Sequence, residues 1–288
     1  MPSVRQIRGR IRSVRSTARV TRAMQMVAAS KMRRAQERVT ASRPYADKLR
    51  AVLAGLVAQG AGQGENAHPL LAERPVHRTL LLAISPDRGL AGGMPGNLNR
   101  AAGIFLREQS TPTEVVTVGK KVRDFAIRAG ADVRASFTDM GDRPSLADTL
   151  PITRLAERMF TSGEVDAVHV AYTRFVNTVT LEPVVTQLLP IPALGLEGAG
   201  LPADVLYEPD ADTVLGALLP RFLEMQVYQA MLENAASEQS ARMVAMRNAT
   251  DAAEEMIDSL TLELNKARQS AITAELLDLV GGVAALEG

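Results

Sequence analysis

The chain has 288 residues, 46% apolar and 23% charged, which is enough apolar material for a folded core. It contains no cysteine, so disulfides, thiolate metal sites and cysteine nucleophiles are excluded. Its three histidines, His68, His77 and His169, are scattered without ligand spacing, and no apolar run approaches the ~20 residues that span a bilayer. We therefore expect no metal site and no direct membrane span.

The formal net charge of +1 conceals an asymmetry along the chain. Residues 1–50 hold 14 Lys and Arg against 2 Asp and Glu, and the rest of the chain holds 19 against 30. A basic segment of this kind indicates either nucleic acid or an acidic protein as its partner. Because Tyr45 is the only aromatic residue before Phe105, bases would find no stacking platform, which favours the protein. A basic coiled-coil nucleic-acid-binding protein stays the alternative.

Residues 1–58 are predicted to form one long helix. Ile7, Ile11, Val14 and Ala18 recur at spacings of four, three and four, and arginines flank this narrow apolar seam, as is typical of a coiled coil. The stretch TRAMQMVAASKMRR at 21–34 differs, because its apolar side chains surround most of the helix. That pattern predicts that other protein surrounds the segment.

The middle of the chain, 76–191, changes its period. Compact apolar runs predict strands at 78–85, 114–119, 131–137 and 165–172, and helix-like segments lie between them at 97–108, 120–129 and 146–162. Strands that alternate with helices predict a Rossmann-like α/β domain with a parallel sheet. Residues 176–191 alternate like a longer edge strand, and the glycine- and proline-rich segments 60–76 and 190–212 are predicted linkers.

A glycine-rich stretch, SPDRGLAGGMPGN at 85–97, follows the first predicted strand. A phosphate-binding turn would occupy this position, but the glycine spacing matches neither the dinucleotide fingerprint nor a P-loop. A tight strand-to-helix turn is the default interpretation, and a nucleotide-binding domain remains a third hypothesis. No motif predicts catalytic residues or a cofactor site.

The helical period returns in residues 210–285. Seam positions run from Met246 to Ala274 at spacings of three and four, with neither glycine nor proline between 221 and 280. Pro220 predicts a kink or a delayed helix start. The fold class we predict is α/β: a long antiparallel coiled coil of the N- and C-terminal helices with the Rossmann-like domain inserted between them.

Two long runs carry a resemblance to a known family. IRGRIRSVRSTARVTRAMQMVAASKMRRAQ resembles the start, and SEQSARMVAMRNATDAAEEMIDSLTLELNKARQSAITAELLDLVGG the end, of the gamma subunit of F-type ATP synthase. SPDRGLAGG and LYEPDADTVL resemble two of its middle segments. The resemblance covers essentially the whole chain and implies a non-catalytic rotor. Its helices would turn inside a ring of three alpha and three beta subunits, above epsilon and the c-ring.

The resemblance also implies contact residues. It places the contacts with the alpha/beta ring at Met24, Lys31, Arg33, Arg34, Arg268, Gln269, Thr273 and Glu275. It places the foot that meets the c-ring and epsilon at Tyr207 and Glu208, although Tyr207 could simply pack against the sheet.

The chain departs from the family pattern at three points. Ala91 stands where many members have cysteine, Pro95 and Pro220 are unusual, and the redox-regulatory insertion of the chloroplast type is absent. The acid-free, arginine-rich start resembles a transit peptide in composition, but its helical period continues without a cleavage-like break. We therefore expect no organellar presequence, and a peripheral protein on the cytoplasmic face of a bacterial cell membrane, with no nucleic acid among its partners.

Overall fold

The computed structural model describes residues 3–62, 68–192 and 207–287, and it divides into two compact units. The first unit comprises residues 1–27 and 243–288, and the second comprises residues 28–242. Helix α1 (Val4–Ala58) and helix α5 (Ala211–Glu287) each contribute one segment to each unit.

The second unit contains a five-stranded sheet with the order β3-β2-β1-β4-β5. Its strands are β1 (Thr79–Ile84), β2 (Thr113–Val118), β3 (Asp132–Phe137), β4 (Ala167–Phe175) and β5 (Leu181–Leu189). Strands β1 to β4 are parallel, and β5 pairs antiparallel with β4 along the edge. All six residues of β1 are buried, because helices cover both faces of the sheet at its centre.

Each face of the sheet has its own apolar core. On one face, α2 (Met94–Glu108) and α3 (Lys120–Arg128) pack through Leu98, Ala102 and Val122 against Leu81 and Ala83 of β1. The opposite face carries the larger core. There α4 (Leu146–Thr161) and the second-unit segments of both terminal helices pack against the sheet, with these members among the largest fully buried side chains: Leu53, Leu56, Leu80, Leu82, Ile152, Met159 and Phe160.

The first unit is an antiparallel pair of helices. Ile7 and Ile11 of α1 form an apolar cluster with Leu260 of α5. Further along, the hydroxyls of Thr21 and Thr250 lie 2.7 Å apart in the buried seam. From the first contact to the second, residue numbers rise along α1 and fall along α5, so the two segments run in opposite directions.

The structure confirms the predicted fold class. The strand predicted at 78–85 is β1, and the long alternating run at 176–191 contains β5, the antiparallel edge strand. A delayed helix start at Pro220 is wrong, because α5 begins upstream at Ala211. Asp210 fixes that start: its carboxylate accepts hydrogen bonds from the Thr213 backbone N–H and hydroxyl at 2.8 and 2.7 Å.

The predicted linkers fall partly outside the described residues. Of the segment 60–76, the described part includes a 3-10 turn at Pro69–Leu71. Most of the segment 190–212 lies outside the described residues. The predicted domain limits of 1–58, 76–191 and 210–285 stay a prediction, since the two units divide the chain differently.

Candidate functional site

The basic end of TRAMQMVAASKMRR lies in the second unit, where its three cations differ in their surroundings. Arg33 and Arg34 are exposed; Arg33 pairs with Glu37 at 3.4 Å, one helical turn on, and Arg34 donates to the Ser30 hydroxyl. Lys31 is half-buried, and its ammonium lies 2.5 Å from the Asp142 carboxylate in the loop after β3. Lys31 is therefore held by the chain itself, whereas the two arginines project into solvent.

The apolar part of the same stretch lies mostly in the first unit. Met24 is half-buried, while Met26 and Val27 are 64% and 55% exposed. Large apolar side chains that lie next to one another on an exposed helix surface indicate a site of contact with another protein. The helix pair of the first unit thus presents apolar residues that its own seam leaves uncovered.

The exposed apolar surface continues on α5 towards the C-terminus. Leu262, Ile272, Leu276, Leu277, Leu279 and Val280 are all exposed. Among the predicted contact residues, Gln269 and Thr273 line a groove of about 700 Å³ together with Ile7 and Leu277. Arg268 and Glu275 are exposed but do not line it. The structure thus brings two of the four predicted α5 contacts together.

The predicted foot residues behave differently from each other. Tyr207 is half-buried and packs against the larger core, and its buried hydroxyl has no hydrogen-bond partner within the described residues. Glu208 is exposed. The packing interpretation of Tyr207 agrees with these contacts, and a role in meeting the c-ring stays a prediction for both residues.

The first residues of the glycine-rich loop at 85–97 contact the N-terminus of α3. At the N-terminus of α3, the backbone N–H groups of Lys120, Lys121 and Val122 donate to the Asp87 carboxylate, the Pro86 carbonyl and the Ser85 hydroxyl. The first residues of the loop therefore cap α3 with their own side chains and backbone. The glycines at 89–96 precede α2 instead, where the N-cap residue is Gly93 and no side chain caps the helix, so nucleotide binding at this turn stays a hypothesis.

A cavity of about 500 Å³ lies at the carboxyl ends of β1, β2 and β3. Among its charged lining residues, Lys120 contacts Asp139 at 2.7 Å, Asp142 contacts Lys31, and Glu238 contacts Arg242 at 2.6 Å. The hydrogen bond from Lys31 lowers the pKa of Asp142, while burial raises the pKa of Glu238. Within the described residues, no group of three acidic or histidine side chains is placed to hold a metal ion.

The same described residues include no helix long and apolar enough to cross a membrane. The surface features that remain are the exposed apolar residues of the first unit and the exposed arginines of α1. Both are typical of a protein that packs against other proteins.

Comparison with known proteins identifies the family. A family model described as ATP synthase matches residues 3–286. The chain is 54% identical over 286 residues to the ATP synthase gamma chain of Dehalococcoides mccartyi, which covers 99% of this chain and 100% of the relative. The gamma chain of Chloroflexus aurantiacus is 45% identical over 289 residues, with 99% of each chain covered. The chain belongs to the ATP synthase gamma-chain family.

Solved structures agree with this gamma-chain assignment. The central stalk and c-ring structure of Tetrahymena thermophila mitochondrial ATP synthase contains a chain with a TM-score of 0.62 and 26% identity, covering 80% of this chain and 99% of that one. A chain from the Euglena gracilis mitochondrial ATP synthase has a TM-score of 0.68, covers 98% and 94%, and at 20% identity supports the fold alone. The chain is thus a gamma subunit of the central stalk, which decides against the nucleic-acid-binding alternative.

Two features of this gamma chain escaped the sequence reasoning. The sequence does not predict the pair of Lys31 and Asp142, whose positions differ by 111 in the chain. The sequence places Arg242 only within a run that resembles the family, and it does not predict that the Arg242 side chain donates to the Gly89 carbonyl in the glycine-rich loop. The one available signal was the loop's own composition, since SPDRGLAGG concentrates turn-forming residues at a strand end.

Proposed function

We propose that this gamma chain is a non-catalytic rotor shaft. It turns with a c-ring driven by proton flow, and its turning drives conformational change in a ring of three alpha and three beta subunits that carry the ATP sites. Epsilon and the c-ring are its partners at the foot. The assembly lies on the cytoplasmic face of a bacterial membrane, with the chain as a peripheral subunit.

The observation that carries the proposal is the exposed apolar surface of the first unit. Burial of a residue such as Leu277, 67% exposed, removes apolar area from water and stabilises an assembly by about 25 cal/mol per Å². An apolar surface without fixed polar partners also offers little resistance when the shaft turns inside the surrounding ring, because the hydrophobic effect has no directional preference. The methionines add adaptable shapes, which suits packing against a succession of neighbours.

The predicted ring contacts enter the proposal with different weights. Arg33 and Arg34, exposed and basic, are available to acidic segments of the beta subunits. Gln269 and Thr273 supply amide and hydroxyl groups to polar loops of the ring. Lys31 contributes less to those contacts than its sequence position predicts, because Asp142 already neutralises it.

Reconstitution tests the proposal. The purified chain is expected to show no ATP hydrolysis alone. Added to alpha, beta, epsilon and the membrane sector in sealed vesicles, it should restore ATP synthesis driven by a proton gradient. The control is the same mixture without the chain. ATP turnover by the isolated chain, or an assembly that stays unable to couple, would contradict the rotor function.

A further inference from the structure

Three loops at the carboxyl edge of the sheet are each tied to a terminal helix by a polar contact. In the loop after β1, the Gly89 carbonyl accepts a hydrogen bond from the Arg242 guanidinium of α5 at 3.2 Å. In the loop after β3, Asp142 binds Lys31 of α1. In the β4–β5 hairpin, the Thr178 carbonyl accepts from the Ser240 hydroxyl of α5 at 2.7 Å. All of these residues belong to the second unit.

The contact through Arg242 is the most enclosed of the three. Its side chain is only 11% exposed and pairs with Glu238, which is 13% exposed, one turn earlier on α5. A guanidinium held by a buried carboxylate has a fixed direction, since its N–H groups form a planar fork. The Arg242 side chain is thereby aimed at the loop that contains Gly89.

A small apolar cluster lies one helical turn from two of these contacts, those of Lys31 and Ser240. Ala35 and Val39 of α1 form this cluster with Leu232 and Ala236 of α5 and with Phe175 of β4. Interdigitated apolar side chains already resist rotation of a helix about its axis against the sheet. Hydrogen bonds and ion pairs have preferred angles and oppose such rotation further. The polar contacts therefore add to the apolar packing in holding the helices at one angle, and they also attach the loops.

We infer that Lys31 and Arg242 are positioning residues that fasten the sheet's loops to the two terminal helices, so that the sheet and the helix segments of this unit turn together under load. This inference rests on the proposed rotor function and deepens it. It also gives the glycine-rich loop a purpose: its first residues cap α3, and its Gly89 carbonyl is the attachment point for α5.

Two variants remove the contacts without leaving a buried charge unpaired. Lys31→Met with Asp142→Asn removes both charges and leaves side chains of similar size. Arg242→Met with Glu238→Gln also removes both charges on α5, although methionine is shorter than arginine. Arg221→Met with Glu224→Gln is the matched control, since it removes another ion pair of the same helix, 2.9 Å long, in which the Arg221 side chain is exposed and that of Glu224 is buried.

The first readout is amide hydrogen exchange in the full, isolated chain. In each double variant we expect exchange in the attached loop, 86–93 or 138–145, to be roughly tenfold faster, which corresponds to about 1.4 kcal/mol of lost local stability. Exchange in β1 and β4 should stay as in the unmodified chain, and the control variant should change neither loop. Unchanged loop exchange in both variants would overturn the inference.

The second readout is coupling in the reconstituted complex. The variants should hydrolyse ATP but pump fewer protons per ATP, and the exchanged pair Lys31→Asp with Asp142→Lys should recover part of that ratio. Wild-type coupling in both double variants would refute the role in load transfer. If the unmodified chain itself fails to couple, the rotor function fails, while the exchange experiment still decides whether the contacts hold the loops.

Discussion

Thr21 and Thr250 share a hydrogen bond between their hydroxyls, 2.7 Å long, inside the buried seam of the first unit. Each hydroxyl also contacts a backbone carbonyl of its own helix, that of Ala18 for Thr21 and that of Met246 for Thr250. Two polar side chains that meet in an otherwise apolar seam fit together in one alignment of the helices. The pair thus fixes the register of α1 against α5.

The threonine pair leads to a prediction about stability. Thr250→Val should lower the free energy of unfolding by about 1 kcal/mol, because Thr21 loses its partner across the seam. Adding Thr21→Val should cost little more, since no polar group then lacks its partner across the seam. Urea unfolding of the full chain measures both. Thr17→Val, exposed on the same helix, is the control and should be nearly neutral. Equal, additive losses from the two seam changes would show that the hydroxyls do not interact.

A second prediction concerns Gly119 at the end of β2. Its φ is +98°, and a Cβ there would lie 2.0 Å from the Ser85 carbonyl oxygen, so the clash involves backbone that cannot rotate away. Gly119→Ala should destabilise the protein by roughly 3 kcal/mol or more. Gly130→Ala is the comparison: its φ is +68°, but no atom lies within 4 Å of the added carbon, and about 1 kcal/mol is expected. Thermal unfolding distinguishes the two.

If Gly119→Ala lowers the stability no more than Gly130→Ala does, β2 does not approach the loop at Ser85 as closely as described. The outcome also bears on the cap of α3. The amides at the start of α3 can bond to the loop after β1 only while β2 and that loop lie this close. The hydrogen bond from the Lys120 N–H to the Asp87 carboxylate, 3.0 Å long, therefore depends most directly on this approach.

The sequence predicts features that depend on neighbours along the chain. The run TLLLAI is entirely apolar apart from its first residue, and it forms the central strand β1. The spacing of Ile7 and Ile11 predicts the seam in which both are found buried. Periodicity succeeds in these cases because the period of a helix or strand decides which side chains share a face.

Contacts between distant residues could not be predicted in this way. In the sequence, Lys31 is one of many cations in a basic helix. The residues around Asp142 give no indication that its carboxylate contacts α1. The tether from Arg242 to Gly89 ends on a backbone carbonyl, which every residue possesses, so composition cannot signal it. The fold class and the exposed arginines were therefore predictable, whereas the fastening of the loops required the three-dimensional structure.

A third prediction exploits a buried carboxyl group on α5. Glu233 is buried; one carboxyl oxygen accepts from Gln229 at 3.3 Å, and the other has no partner within the described residues. Burial raises the pKa of Glu233, against the opposing influence of Gln229, Arg43 and Arg174; Tyr172 also faces it. Since the folded state holds this proton more tightly than the unfolded state, its contribution to stability is complete below the unfolded pKa and is lost as pH rises through the folded one.

Glu233→Gln should therefore stabilise the chain at pH 8 by about 1 kcal/mol, because a neutral amide replaces a buried charge. Near pH 3, below the ordinary glutamate pKa of about 4.3, the variant and the parent should unfold at similar urea concentrations, since the carboxyl is then protonated in both states. Glu255→Gln, exposed on the same helix, should show no such pH dependence. A variant that is less stable than the parent at pH 8 would mean that the Glu233 carboxylate is paired and charged in the folded chain.

The last prediction tests whether Met24 faces the acidic segments of the beta subunits. Met24 is half-buried on α1, seven residues before Lys31, and a lysine of similar length fits the same position. In the reconstituted complex, Met24→Lys should strengthen the attraction to those carboxylates and hinder rotation past them. Fewer protons should then be pumped per ATP, although ATP hydrolysis continues.

Ionic strength separates this attraction from a packing defect. Added salt screens exposed charges, so raising it from 50 to 300 mM should restore part of the coupling in Met24→Lys. Met24→Leu, which changes shape but not charge, should couple like the unmodified chain at both salt concentrations. If Met24→Lys couples normally, Met24 does not face the acidic segments of the beta subunits. If salt leaves its defect unchanged, the lysine disturbs packing within the helix pair instead.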